Sequence, residues 1–372
     1  MTELLADIRA LVECESPSAD LAAVARSADV VARVGAARLG VAPDRIVLDG
    51  RTHLRWRLGA GPSRVLLLGH HDTVWPLGSL DRRPCTVEGG VLRGPGCFDM
   101  KAGLAMAFHA AAGLDGVTIL VTGDEELGSP SSRGLVEEES RRAEAALVLE
   151  ASADGGALKT ERKGVSLYDV RVTGRAAHAG LEPERGVNAT LELAHQTLLV
   201  QALSDPARGT TVTPTLAGSG TTTNTVPAAG SFAVDARVRT AAEQERVDRA
   251  IRGLGPVLAG AAIEVVGGPN RPPLEAAASA ALFERARAIA VRLGLTPLSA
   301  AAVGGASDGN LTAGVGTPTL DGLGAVGGGA HADDEHVLVD ALPGRTALLR
   351  ALVGELLADS TNQVATAGAA RP

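Results

Sequence analysis

Three short apolar runs stop abruptly at histidine or carboxylate, and this arrangement limits the possible folds more than anything else in the chain. Val65–Gly69 leads into His70-His71-Asp72, Val117–Val121 into the carboxylates at 124–126, and Ala145–Leu149 into Glu150. The runs are continuous rather than alternating, which reads as strands buried on both faces. Helical stretches separate them, the clearest being the apolar segment Ala102–Ala112 after Asp99. Strands alternating with helices predict an α/β fold, a mostly parallel mixed sheet flanked by helices. Open sheets of this kind bind ligands beyond the carboxyl ends of their strands, where these polar residues fall.

Such a core has to be built from Ala, Val and Leu, because 372 residues carry only seven aromatic rings. Apolar residues make up 45% of the chain, which excludes wholesale disorder. The net charge is −8, with no basic stripe and few rings for base stacking, so no nucleic-acid partner is expected. No window approaches the ~18 uncharged apolar residues of a membrane span. The start, MTELLADIRALVECE, is acidic where a secretory leader is basic. Cys14, Cys85 and Cys97 are odd in number and far apart, as suits a reducing compartment, and a cytoplasmic location is expected.

The pattern changes after Lys163. Val165–Val172 alternates like a half-buried strand, a helix follows near 187–202, and strands are predicted at 210–216 and 231–238. A polar helix near 241–258 and a strand at 262–266 complete a β-α-β-β-α-β order, which suits a ferredoxin-like α+β insert. The expected organisation is a main domain in two parts, 1–163 and 269–357, an insert at 164–268, and a disordered polar tail at 358–372.

The residues at the strand ends are metal-ligand types. His70 and Asp72 are two apart, so both face one crevice, and a metal-bound imidazole usually gives its second N–H to a carboxylate. His70 therefore reads as a ligand and Asp72 as its orienter. Asp99 precedes a helix, Glu126 and Glu150 follow strands, and His331 lies in the loop 327–336. Two imidazoles and three carboxylates suit zinc or another divalent first-row ion, with no thiolate needed. His109 reads as a core residue, His53 as a surface one, and Trp75 as either cleft wall or packing.

Eight motifs then stand in order. They are LVECESPS at 11–18, GHHDTV at 69–74, GPGCFDMKAG at 94–103, TGDEELGS at 122–129, LVLEAS at 147–152, GRAAHAG at 174–180, GGASD at 304–308 and GAHADDE at 329–335. Together they resemble the zinc-dependent exopeptidase and deacylase family of glutamate carboxypeptidase, acetylornithine deacetylase, succinyl-diaminopimelate desuccinylase and aminoacylase, with the pattern nearest to glutamate carboxypeptidase. That resemblance implies two Zn2+ per chain, replaceable by Co2+. His70 and Glu150 would hold one ion, Glu126 and His331 the other, and Asp99 would bridge them. Glu125 would be the general base and Asp72 would orient His70. The resemblance also implies a cis peptide at Asp99–Met100. The insert would be a dimerisation lid whose His178 reaches the metal site of a second copy in a homodimer. Asn224 and Arg239 would meet a substrate carboxylate, with Gly305 and Ser307 as further substrate contacts. The family often has Asp two residues before its lid arginine, and Arg237 stands there before Arg239, so the two arginines compete for that role. The implied activity is hydrolysis of an amide beside a free carboxylate, as a carboxypeptidase on small peptides or N-acyl amino acids. The alternative is an N-acyl-amino-acid deacylase. A non-catalytic binding subunit is a third reading, against which stand the five intact ligand positions and the intact base.

Overall fold

A computed structural model describes residues 1–369, with side chains up to Asp359. The chain forms two compact units, one made of residues 1–161, 275–303 and 307 onward, the other of 162–274 with 304–306.

The first unit is built on a six-stranded mixed sheet. Its strands run in the spatial order Asp44–Leu48, Arg51–Leu58, Val117–Thr122, Val65–His70, Ala145–Val148 and Thr319–Leu320. The last four are mutually parallel, and the first two add an antiparallel edge. Val65–His70 and Val117–Thr122 are buried at every position, as continuous apolar runs between helical layers should be. The Ala102–Ala111 helix is buried at every residue except His109, whose ring contacts Asp7 at 2.7 Å. Gly103 lets this helix come close, since a Cβ there would stand 2.1 Å from the Leu149 carbonyl. The scarcity of rings leaves one edge-to-face aromatic pair among the described residues, Trp56 and Phe108 at 5.1 Å. Such a pair contributes ~0.5–1.5 kcal/mol beyond its area. His53, expected at the surface, is fully buried in the Arg51–Leu58 strand. The last helix, Leu342–Ala369, continues beyond residue 357, where the sequence predicts a frayed tail; its alanines favour helix. Residues 370–372 of that expected tail lie outside the described residues. Among the described residues no helix is long and apolar enough to cross a membrane.

The second unit has the order β-α-β-β-α-β. Its antiparallel sheet runs Thr211–Ser219, Ala229–Val238, Gly164–Thr173, Ala262–Arg271. Tyr168, Val170, Val172, Phe232, Val234 and Ala236 alternate onto one face and pack with Leu193, Val200, Val247 and Ile251 of two helices. The final strand is longer than predicted. It runs on through Gly267, Gly268 and Pro269 and slips register between Pro269 and Arg271. It lies at the sheet edge, where proline removes no needed ladder donor.

Candidate metal centre

The sheet gathers five predicted ligands in two groups that share Asp99. One group is His70, Asp99 and Glu150, the other Asp99, Glu126 and His331, and the ligand atoms of each lie within 4.8 Å of one another. His70 ends its strand, and its Nε2 lies 3.4 Å from both Asp99 Oδ1 and Glu150 Oε1. The other Asp99 oxygen, Oδ2, lies 3.2 Å from His331 Nε2, which is 3.1 Å from Glu126 Oε1. Asp99 thus turns one oxygen to each group. The Asp99–Met100 peptide is cis. His331 has φ of 62°, a left-handed conformation in which histidine is among the more tolerant residues.

The donors fit a cation. His70 Nε2 and Asp99 Oδ1 are buried without any hydrogen-bond partner. Leaving such atoms unpaired costs ~1–3 kcal/mol each unless something else engages them. The electrostatics agree. His331 is pushed up to about 10 by Asp99 and Glu126. Burial opposes charge on His70, yet Asp72, Asp99 and Glu150 together raise it well above its ordinary value. Burial works against the Asp99 carboxylate too, but the two imidazoles hold it low. Burial raises Glu126.

The loops around these ligands are braced from behind. The Asp72 carboxylate accepts Ser18 Oγ–H at 2.6 Å and the backbone N–H groups of Glu125 and Glu126 at 3.2 Å each. His70 Nδ1 sits nearer the Asp72 carbonyl, 2.9 Å, than its carboxylate, 3.5 Å. The hydrogen bond of His70 thus goes to the Asp72 backbone rather than to the carboxylate expected as its orienter, and the carboxylate instead fixes the short turn Glu125–Leu127 that carries the predicted base. Asp124 ties off the same loop through Ser131 and Ser132. His71 is fully buried; burial lowers it to about 4, and its Nε2–H donates to the Thr52 carbonyl. Cys97 is fully buried, and burial pushes its thiol up, so it is inert. Glu335 accepts four donors, one of them the Trp75 indole N–H; sequence reasoning missed it, although it ends the GAHADDE segment.

Ser307 differs from expectation. It is 1% exposed, its hydroxyl donates to Asp321 at 2.6 Å, and it caps the Asp308–Gly314 helix by accepting Gly309 N–H. Its hydroxyl is thus committed to the helix N-cap and to Asp321. Gly305 belongs to the second unit and is exposed; its carbonyl accepts from Arg162.

His178, Asn224, Arg237 and Arg239 also belong to the second unit. His178 is exposed and pairs with Thr225, and the Asn224 carbonyl accepts Ala179 N–H at 2.9 Å, so these two are neighbours. His178 Nδ1 accepts the N–H groups of Gly180 and Leu181 at 3.1 and 3.2 Å. An Nδ1 that accepts leaves the proton on Nε2, which makes neutral His178 a donor there. Arg237 is gripped bidentately by Asp235 at 2.7 and 2.8 Å. The acid-before-arginine spacing is therefore met by Asp235 and Arg237, not by Arg239. Arg237 pairs with Val165, near the start of the Gly164–Thr173 strand, whereas His178 and Asn224 lie beyond the Thr173 end, next to the strand that begins at Ala229. Eight residues of strand span about 26 Å. The structure separates the arginines from the pair with which sequence reading grouped them.

The sequence pattern of peptidase family M20/M25/M40 matches residues 66–355. The chain belongs to that family. Carboxypeptidase G2 of Pseudomonas sp. (strain RS-16) is 32% identical over 293 residues, 74% of this chain and 70% of that one. Among solved structures, aminopeptidase PepT from Bacillus cereus ATCC 10987 superposes with TM-score 0.74 at 23% identity, covering 96% of this chain and 98% of that one. The M20 family metallo-carboxypeptidase Sso-CP2 from Sulfolobus solfataricus gives 0.73 at 17% identity, covering 95% and 98%. These likenesses fix the M20 α/β fold, and membership makes the chain a peptidase-family hydrolase with a carboxypeptidase relative.

Proposed function

We propose that this chain is a di-zinc amidohydrolase that breaks an amide beside a free carboxylate, acting as a carboxypeptidase on small peptides or N-acyl amino acids. The observation that carries the reading is the pair of three-ligand groups sharing Asp99, with Glu125 beside Glu126 and outside both groups. His70 and Glu150 hold one ion, Glu126 and His331 the other, and Asp99 both; Co2+ replaces Zn2+. Bound divalent ions supply Lewis acidity and ease loss of a water proton at neutral pH. Glu125 takes the proton of the attacking water and returns it to the leaving amine. The Asp72 carboxylate keeps that base in place by holding its backbone N–H.

The lid residues complete the site across a homodimer. An extended dipeptide spans only about 7 Å, so one chain does not offer both Arg237 and the His178–Asn224 pair to one substrate. A second copy resolves this. The Ala189–Gln201 helix exposes Leu191 and Leu198, and Leu216 is exposed on the sheet-edge strand Thr211–Ser219, an apolar surface suited to self-association. His178 Nε2–H then stabilises the tetrahedral oxyanion in the partner's site. Arg237, oriented by Asp235, presents its remaining guanidinium edge to the substrate carboxylate. The enzyme is assigned to the cytoplasm.

The test is hydrolysis by Zn2+- or Co2+-loaded protein of dipeptides and N-acyl amino acids, with released amino acids identified by mass spectrometry. Release of C-terminal residues from dipeptides supports the carboxypeptidase. Turnover confined to N-acyl substrates selects the deacylase. No turnover with either metal rejects hydrolysis.

A further inference from the structure

Glu335 is 4% exposed, lies four residues after His331, and touches no proposed ligand side chain through its own carboxylate. Its Oε1 accepts the backbone N–H groups of Phe98 and Asp99 at 2.9 and 3.0 Å. Its Oε2 accepts Gly96 N–H at 2.8 Å and the Trp75 indole N–H at 2.7 Å. Four donors fill the roughly four acceptor positions that an ionised carboxylate offers. Three of them come from one turn, Gly96–Asp99, folded by a left-handed Gly96 with φ of 70° into a concave row of N–H groups of the kind that holds anions. The fourth comes from the segment that follows the His70 strand. One buried carboxylate therefore ties together the segments carrying His70, Asp99 and His331.

We infer that Glu335 is the positioning residue of the metal centre: it sets the Asp99 carboxylate between the two ion positions by clamping the Asp99 backbone to the His331 loop. The inference rests on the reading of Asp99 as the shared ligand. A carboxylate is required, because an amide of the same shape has a single acceptor oxygen. In Glu335→Gln, one end of the side chain turns an NH2 toward two N–H donors, whichever way the amide is flipped. A clamp whose carboxylate receives four donors does not tolerate this change.

The experiment is calorimetric titration of metal-free protein with Zn2+, with folding checked by circular dichroism and thermal melting. Loss of a supporting group behind a metal ligand typically costs ~10–100-fold in metal affinity. Glu335→Gln is expected to bind Zn2+ about 10–100-fold more weakly while remaining folded. Trp75→Phe removes one donor of the four and leaves Glu335 intact, so it gives a smaller loss in the same direction and serves if Glu335→Gln does not fold. Asp333→Asn, in the same loop but paired with Arg83, leaves affinity unchanged. A folded Glu335→Gln protein with wild-type Zn2+ affinity overturns the inference, as does a lower melting temperature with unchanged affinity. Should the variant not fold, wild-type affinity in Trp75→Phe overturns it. Failure of the wild-type protein to bind Zn2+ would instead overturn the metal reading itself, so the two failures are distinct.

Discussion

The loops of the candidate metal centre and the His178 turn hold the side chains proposed as reactive in opposite ways. At the strand ends the reactive groups are buried or half-buried, and carboxylates behind them grip the backbone: Asp72 holds 125–126, Asp124 holds 131–132, and Glu335 holds 96–99. The His178 turn has a two-residue ladder with Thr225 and two N–H bonds to the imidazole itself, and its residues face solvent. The contrast teaches a division of labour. A site that gathers like charges has its backbone tied down by buried carboxylates, because each misplaced carboxylate adds repulsion. A group that donates one hydrogen bond needs only the right tautomer, which its own turn supplies, and a surface to meet.

The sharpest way to break this comparison is to remove the shared ligand. Asp99→Ala is expected to lose both ions, whereas His70→Ala or His331→Ala loses one, as read by elemental analysis of dialysed protein. Equal metal content in all three variants contradicts sharing. Next in size is the base. Glu125→Gln keeps its metal and loses ~10²–10⁴-fold in kcat, while its neighbour Glu126→Gln loses an ion. If Glu125→Gln turns over normally, the two glutamates have been assigned the wrong way round.

The lid side is tested by mixing. Inactive His178→Ala and inactive Glu125→Gln chains, combined as verified heterodimers, place both defects in one site and none in the other, so activity returns. Silence from such heterodimers means that His178 serves its own chain. A smaller effect separates the two arginines. Loss of a charged hydrogen bond worth ~1.5–3 kcal/mol is roughly 10–100-fold, so Arg237→Ala raises KM by about that factor and Arg239→Ala leaves it nearly unchanged. The reverse order restores Arg239 as the carboxylate contact.

The smallest expected effect concerns acid stability in the second unit. Glu243 is held at about 2 by Arg246 and Arg208, against its own burial, with Thr210 adding a bond. Its folded value lies below its unfolded one, so its contribution is fully present above about 4.5 and disappears as pH falls toward 2. Urea unfolding of wild type and Glu243→Gln should differ at pH 7 and converge near pH 2. A difference that persists there shows that the Glu243 carboxylate and its arginine partners are not the source.

The two regions also differed in how far they could be read from sequence. The ligands were legible because strand-to-polar transitions are local: Val65–Gly69 announces a strand, and the next residue must stand at its end. The edge strand Asp44–Leu48 and its inner neighbour Arg51–Leu58 have no clear sequence signal, since RTHLRWRL mixes partly exposed arginines with buried positions and hides His53 among them. Glu335 escaped because its partners are mostly backbone N–H groups more than 200 positions away, and those have no sequence signature. Ser307 shows the complementary limit: a serine before a helix looks the same whether it caps that helix or faces a ligand. The separation of Asn224 from the arginines within one chain is invisible in the sequence, because spacing along the chain does not reveal which end of a sheet a residue reaches, and pairing register does.

The length of the Gly164–Thr173 strand also bears on how the enzyme behaves when it is scarce. If, as proposed, Arg237 grips the substrate carboxylate and the oxyanion donor His178 comes from a second copy, each chain is half of two sites and the whole of none. Specific activity then depends on how often chains meet. Dilution would switch the enzyme off with no change in any residue, cofactor or local geometry, and the concentration at which that happens would be the dissociation constant of the lid surface.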